Sequence, residues 1–313
     1  DSVNILLKQI KFVSDYMSKI GKHLVIILAP GKAAYYPEYI PHKYKKVNDS
    51  TNYKYISSGL KNEGLNIIDF HKWFIENKTK SKYPLYPQFG THWSNYGSVL
   101  AADSIIKKIE ILKKIDMPNL IYNQIYLKQP IYIDYDIAEG MNLLFRFKSF
   151  DMAYPRISTE RLKKKKRPNV LVVSDSFYWG MYDFGISKSF NNHHFWYYNK
   201  QVYPDSHNAE VLVDNSKLAD EINNHDVFMV IVTDANLPKM GWGFFENLEN
   251  LFKTGWLPTG EGVKEISELE ETRQNIRMDN NWMKQIEGKA KERKITVDSM
   301  LTLDAIWTLE HQN

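Results

Sequence analysis

Asn169-Val170-Leu171-Val172-Val173-Ser174-Asp175-Ser176-Phe177 is the stretch on which the reading of this chain turns. Aliphatic residues run without interruption into Ser-Asp-Ser and then an aromatic stretch. A short, continuously apolar run bounded by turn residues reads as a strand buried on both faces. In parallel α/β sheets, ligands and reactive groups gather at the carboxyl ends of the strands. Ser176 stands at such an end. Its hydroxyl can project from the turn as a nucleophile, with its own N–H turned toward an oxyanion. A serine in this place also fits a plain helix N-cap.

Outward from this strand the same texture recurs. His23-Leu24-Val25-Ile26-Ile27-Leu28 reads as a buried strand that breaks at Ala29-Pro30-Gly31-Lys32. Leu65 to Phe70 and Val227 to Val232 read as two more. Amphipathic helices fall between them. One covers residues 4 to 20, with Ile5, Ile10, Val13 and Met17 on its apolar positions. Another follows Ser94 as N-cap and places Leu100, Ile105, Ile109 and Leu112 on one face. Strands separated by helices predict an α/β fold with a parallel sheet covered on both faces. Residues 118 to 167 are Tyr-rich and irregular, an excursion over the sheet. From about residue 262 the texture changes. Leu269, Ile276, Met283 and Ile286 form one stripe, and after Thr296 come Met300, Leu303, Ile306 and Trp307. These predict a helical hairpin. The expected organisation is an α/β domain over residues 1–258 and a C-terminal helical appendage over 259–313.

With 43% apolar and 25% charged residues in 313, the chain can build a sizeable core. It has no cysteine, which excludes disulfides and thiolate metal sites. Much of the net charge of +4 comes from one run, Arg161 to Arg167. That run fits a solvated loop edge or a surface for anionic polymer or lipid headgroups. No nucleic-acid reader motif accompanies it, so nucleic acid is not an expected partner. No stretch reaches the ~20 apolar residues that a spanning helix needs. The sequence begins at Asp1 with no signal peptide, as a mature or trimmed exported protein would, so this is no argument for the cytoplasm.

A serine hydroxyl needs a nearby base, and imidazole is the usual one. Gly90-Thr91-His92-Trp93-Ser94-Asn95-Tyr96-Gly97 sets His92 just before a helix, among aromatics. A packed or capping histidine is the competing reading. His193-His194 is a tempting pair. Adjacent residues of a strand do not converge on one metal, so no metal site is expected there.

These segments together resemble the alginate acetyltransferase-like branch of the SGNH hydrolases, the AlgX/AlgJ type. The resemblance is carried by Ile27-Leu28-Ala29-Pro30-Gly31-Lys32 with Tyr36-Pro37-Glu38, by Thr91-His92-Trp93-Ser94 with Gly97, by Val173-Ser174-Asp175-Ser176-Phe177, and by His225-Asp226-Val227 through Thr233-Asp234-Ala235-Asn236-Leu237. It spans roughly residues 5 to 255. It implies a flavodoxin-like sheet in circularly permuted order, with the His motif ahead of the Ser motif. It also implies acyl-ester chemistry on polysaccharides outside the cytoplasm, in the periplasm or cell envelope. No cofactor is implied. An acyl donor or a membrane-bound acyltransferase is an implied partner. Carried over to this sequence, Ser176 is the nucleophile and His92 the base. Tyr182 resembles a substrate-contacting tyrosine, and Asn236 stands where an oxyanion donor could come from. Lys32 and Trp93 fall within the matching motifs as further candidates. Tyr178, Trp179, Tyr182 and Trp93 are the expected aromatic rim of an open groove.

This sequence departs from the family where the motif Asp-x-His has Gly90 in place of the acid, and where Ser174 replaces a Gly. A triad acid orients the base and stabilises its charged form. Asp175, Asp136 and Asp69 are the candidate substitutes. A Ser-His dyad, or a glycan-binding protein without catalysis, are the other outcomes.

Overall fold

The computed structural model describes residues 2–45, 51–161, 164–258, 261–293 and 295–311. Residues 162 and 163 of the basic run lie outside these. The chain divides into two compact units, Asp1–Ser18 with Lys22–Thr254, and Lys19–Gly21 with Gly255–Asn313.

The first unit is built on a six-stranded sheet. Its strands are β1 (His23–Ala29), β2 (Ile67–Asp69), β5 (Val170–Ser174), β6 (His193–Tyr197), β7 (Gln201–Tyr203) and β8 (Val227–Thr233), in the order β2-β1-β8-β5-β6-β7. All neighbours run parallel except β6 and β7. The buried aliphatic runs supply the central strands: every residue of β5 and β8 is buried. The helices are α1 (Ser2–Lys19), α2 (Lys32–Tyr35), α3 (Asn52–Asn62), α4 (Phe70–Glu76), α5 (Asn95–Lys113), α6 (Asp136–Gly140), α7 (Trp179–Asp183), α8 (Leu218–Asn224) and α9 (Phe244–Lys253). In α1, Ile10, Val13 and Met17 are fully buried. Ile5, expected on the same face, is exposed and Leu7 takes the inward position. In α5 the Ser94 Oγ accepts from the Gly97 N–H at 2.9 Å, the N-cap bond its sequence predicts.

Two parts of this unit depart from expectation. The segment read as irregular contains an antiparallel pair, β3 (Leu120–Lys128) and β4 (Met152–Thr159), joined through α6. Strand β3 is mostly exposed, so it lacks the continuous apolar run that marks the central strands. Strands β6 and β7 also escaped, because β6 is built from aromatics and histidines rather than aliphatics.

Among the described residues the second unit has three helices where two were expected: α10 (Glu261–Met278), α11 (Asn280–Arg293) and α12 (Val297–Glu310). The long stripe is interrupted at Asp279, whose Oδ1 accepts from the N–H groups of Asn281 and Trp282 and so caps α11. Ile276, Ile286, Ala290, Met300, Leu301 and Ala305 form its core. Among the described residues no helix is long and apolar enough to cross a membrane.

Candidate active site

Strands β1, β8 and β5 lie side by side, and their carboxyl ends deliver Gly31-Lys32, Asp234 to Asn236, and Asp175-Ser176 to one rim of the sheet. At that rim the Oγ of Ser176 lies 2.9 Å from Nε2 of His92. Ser176 is the first residue of a short 3-10 turn. A backbone N–H in that position has no partner inside the helix and points outward. The Phe177 ring packs on the imidazole with centroids 4.8 Å apart.

The other face of the imidazole meets an acid from the insertion. Oδ2 of Asp136 lies 3.6 Å from Nδ1 of His92. This exceeds hydrogen-bond reach, and the buried Nδ1 has no hydrogen-bond partner among the described residues. Oδ1 of Asp136 accepts from the N–H of Thr91 at 2.8 Å and from its hydroxyl at 3.1 Å. The carboxylate is thereby fixed with its second oxygen facing the ring. Burial pushes the His92 pKa down, and the charges of Asp136 and Asp175 pull it partly back.

The surroundings of Gly90 leave no room for a side chain at this position. A Cβ at this position would run into the Ile133 carbonyl oxygen, 2.7 Å from Pro87 Cγ and 2.9 Å from the Asp134 carbonyl carbon. The insertion backbone fills the space that an aspartate here would need. Phe89 O accepts from the N–H of Ile137 at 3.1 Å, which ties α6 to the loop carrying His92.

The remaining candidates fall into place around this pair. Asp175 is 1% exposed, and its carboxylate accepts from the Phe177 N–H, the Thr233 N–H and hydroxyl, and the Asn236 amide. It holds the turn and joins β5 to β8; it is not the acid on His92. The Asn236 Nδ2 donates to Asp175 at 3.0 Å, so this amide braces the turn. Asp69 caps α4 and is bonded by Tyr53 and Lys61, on the edge strand of the sheet. Lys32 Nζ donates to the carbonyls of Pro87 at 2.9 Å and Gly90 at 2.7 Å. These bonds tie it to the loop that carries His92. Burial lowers its pKa to about 8, against the pull of Asp136. Trp93 and Tyr178 are fully buried, which removes them from the expected rim. Trp93 stacks on Phe74, and Tyr178 bonds His193 at 2.8 Å. Trp179 and Tyr182 are half-buried, and the Tyr182 hydroxyl lies 3.2 Å from His207 Nε2. The Ser174 hydroxyl is buried without a partner among the described residues.

Sequence reading missed the fastening of the His92 loop. The Tyr86 hydroxyl donates to Thr91 O, the Tyr36 hydroxyl to Tyr86 O, and the Ser94 hydroxyl to Pro84 O. Tyrosines bonded to carbonyls leave no periodic signal.

A family model, the SGNH hydrolase-like domain of acetyltransferase AlgX, matches residues 4–121. Over that range the chain is similar to the AlgX-type SGNH hydrolase-like domain. The matched range includes Lys32 and His92 and ends before Ser176. Among solved structures, the O-acetyltransferase domain of Pseudomonas putida AlgJ superposes with a TM-score of 0.53 at 16% identity, over 80% of this chain and 90% of that one. Pseudomonas aeruginosa AlgX gives 0.49 at 14%, over 77% and 61%. Bacillus cereus PatB1 gives 0.46 at 13%, over 75% and 90%. At these identities the AlgJ superposition speaks for the fold. No curated protein sequence matches the chain.

Proposed function

We propose that this SGNH-like domain is an acyl-ester enzyme, an O-acetyltransferase or acetylesterase of an exported polysaccharide, working through Ser176 and His92. The observation that carries this reading is the 2.9 Å contact between Ser176 Oγ and His92 Nε2 at the carboxyl end of β5, with Asp136 behind the ring. The AlgX-type match and the AlgJ O-acetyltransferase fold support the acyl class.

The reaction follows from that geometry. Ser176 Oγ attacks the acyl carbonyl while His92 Nε2 takes its proton. The negative charge on the tetrahedral oxygen is met by the outward N–H of Ser176. His92 returns the proton to the leaving alcohol, and the acyl group remains on Ser176. An acceptor hydroxyl then gives its proton to His92 and attacks the acyl-serine, and His92 returns that proton to the departing Ser176 Oγ. A sugar hydroxyl as acceptor makes a transferase; water makes an esterase. Asp136 steadies the imidazolium that forms in each half. Trp179, three residues after the nucleophile and only half-buried, offers an aromatic face for a sugar ring. A periplasmic or envelope location and a separate acyl donor belong to the same proposal.

The open Nδ1–Asp136 contact favours a second reading, a glycan-binding protein without turnover. One experiment separates the two. Intact mass of the protein after incubation with an activated acetyl ester should rise by one acetyl group, and Ser176→Ala should abolish both that adduct and ester turnover. Turnover equal in Ser176→Ala and parent, with the fold intact by circular dichroism, defeats the enzymatic reading at this serine.

A further inference from the structure

The histidine pair on β6 divides between the two faces of the sheet, as strand alternation requires. His193 turns into the core, where Nε2 meets the Tyr178 hydroxyl. His194 turns to the other face and meets α8. There its Nδ1 lies 2.9 Å from Oε2 of Glu221. One helical turn later, at the C-cap of α8, His225 brings its Nδ1 to 3.3 Å from the same oxygen. The two imidazoles lie 5.0 Å apart, centre to centre.

We infer that His194, Glu221 and His225 form a binding site for a divalent transition-metal ion of the zinc class, at the amino ends of the strands and remote from the serine. One potential ligand atom from each residue lies within 4.8 Å of the other two. On a tetrahedral ion with bonds of about 2.0–2.1 Å, neighbouring ligands stand ~3.3 Å apart. The spacings of 2.9 and 3.3 Å onto the carboxylate oxygen are close to that. The ion enters between groups that already face one another, so little backbone movement is required.

The donor set selects the ion. Two imidazoles and one carboxylate suit zinc, nickel or copper, whereas magnesium and calcium call for oxygen ligands. His225 has no exposed side-chain surface, but the side chains of His194 and Glu221 are 25% and 19% exposed. That leaves an approach for the ion and a free coordination position for water. The outer atoms of His225 are also provided for. Its Nδ1–H donates to the Glu221 carbonyl at 2.8 Å, and its Nε2 lies 3.4 Å from the Asn192 amide. On binding, the imidazole changes tautomer: the Nδ1 proton leaves to solvent, Nε2 takes up a proton from solvent, and Nδ1 becomes the ligand. Rotation of the Asn192 amide then offers its oxygen to the Nε2–H. The consequence is structural. The ion would join β6, α8 and the entry to β8 at the amino end of the sheet.

The test uses untagged protein freed of metal with a chelator. Calorimetric titration with zinc chloride should show one saturable site per chain and a rise in melting temperature with zinc concentration. Magnesium chloride at the same concentrations should do neither. Glu221→Gln, which keeps the side-chain shape, and His194→Ala, at a half-buried position, should each weaken zinc binding at least tenfold. Absence of saturable zinc binding would overturn the inference. So would zinc affinity unchanged in the Glu221→Gln/His194→Ala double variant, since the ion would then bind elsewhere.

Discussion

Asp136 stands at the outer nitrogen of His92, 3.6 Å from Nδ1, on the insertion whose backbone fills the space a side chain at position 90 would need. The absence of a side chain at Gly90 and the presence of a carboxylate at Asp136 are therefore two sides of one arrangement. The backbone at Ile133 and Asp134 excludes the first, and the helix that follows supplies the second.

Removing the Asp136 charge should lower kcat more than it changes the fold. Asp136→Asn keeps an oxygen for the Thr91 bonds, so loop geometry survives. The imidazolium formed in each step then lacks its counter-charge. A fall in kcat of about 10²–10⁴ on a soluble acetyl ester is expected, with KM little changed. Gly90→Asp should not rescue it, because the new side chain collides with the insertion. Rescue by Gly90→Asp, or full activity in Asp136→Asn, would show that Asp136 does not orient the base.

The pH profile should report the burial of His92. The base must be neutral to accept the serine proton, so kcat/KM rises as pH climbs through the pKa of His92. Burial holds that pKa below its ordinary value of 6.5. The acid limb should accordingly lie below 6.5, and activity should persist in mildly acidic medium. Asp136 is one of the groups that raise this pKa, so Asp136→Asn should move the limb lower still, on a reduced plateau. A limb above 6.5 in the parent, or an upward shift in the variant, contradicts this account.

Asp134 should weaken the fold at neutral pH. It is fully buried, and neither carboxylate oxygen closes a hydrogen bond among the described residues. Burial raises its pKa to about 6, although Tyr154 and Asn95 pull it partly down. An unfolded aspartate ionises near 3.9, whereas the folded one keeps its proton until about pH 6. The folded state thus binds more protons, and stability falls as pH rises from 4 through 6. Asp134→Asn should be more stable than the parent at pH 7 by on the order of 1–3 kcal/mol. Denaturant melts should show this gap closing as pH drops to 4. A variant less stable than the parent at pH 7 would mean that Asp134 is ionised and paired.

The sequence disclosed those parts of the molecule that have a local cause. The aliphatic runs of β1, β5 and β8 are buried on both faces, so their composition announces them. Ser176 follows one of those runs directly, and His92 precedes a helix capped by Ser94. Both positions can be read from neighbours in sequence. The acid could not be chosen the same way. Asp175 adjoins Ser176 and looked as eligible as Asp136. Only the fold shows Thr233, Asn236 and the Phe177 N–H converging on Asp175, while Asp136 approaches from the far side of the β3–β4 excursion. Aromatic residues misled for a related reason. Trp93 and Tyr178 flank the reactive residues in sequence, but helix geometry turns their rings inward, while Trp179 and Tyr182 stay partly open.

Lys32 should act as a positioning residue with its own mark on the alkaline side of the profile. Its ammonium donates to the carbonyls of Pro87 and Gly90, directly before Thr91 and His92, and it lies close enough to Asp136 for the two charges to favour each other. Hydrogen bonds from a charged donor contribute about 1.5–3 kcal/mol, enough to fix a loop. With a pKa of about 8, the ammonium is charged at pH 7 and loses its proton as pH rises through 8. The carbonyls then lose their cation and Asp136 its partner, so kcat should decline above pH 8. Lys32→Met removes the cation at every pH. Its kcat should lie about tenfold to a hundredfold below the parent at pH 7, in line with the sensitivity of catalysis to small misplacements, and should show no further decline above pH 8. A lysine that merely supports the fold would lower the melting temperature of the variant and leave the shape of the pH profile unaltered. An alkaline limb retained in Lys32→Met would assign that limb to another group and remove Lys32 from the catalytic arrangement.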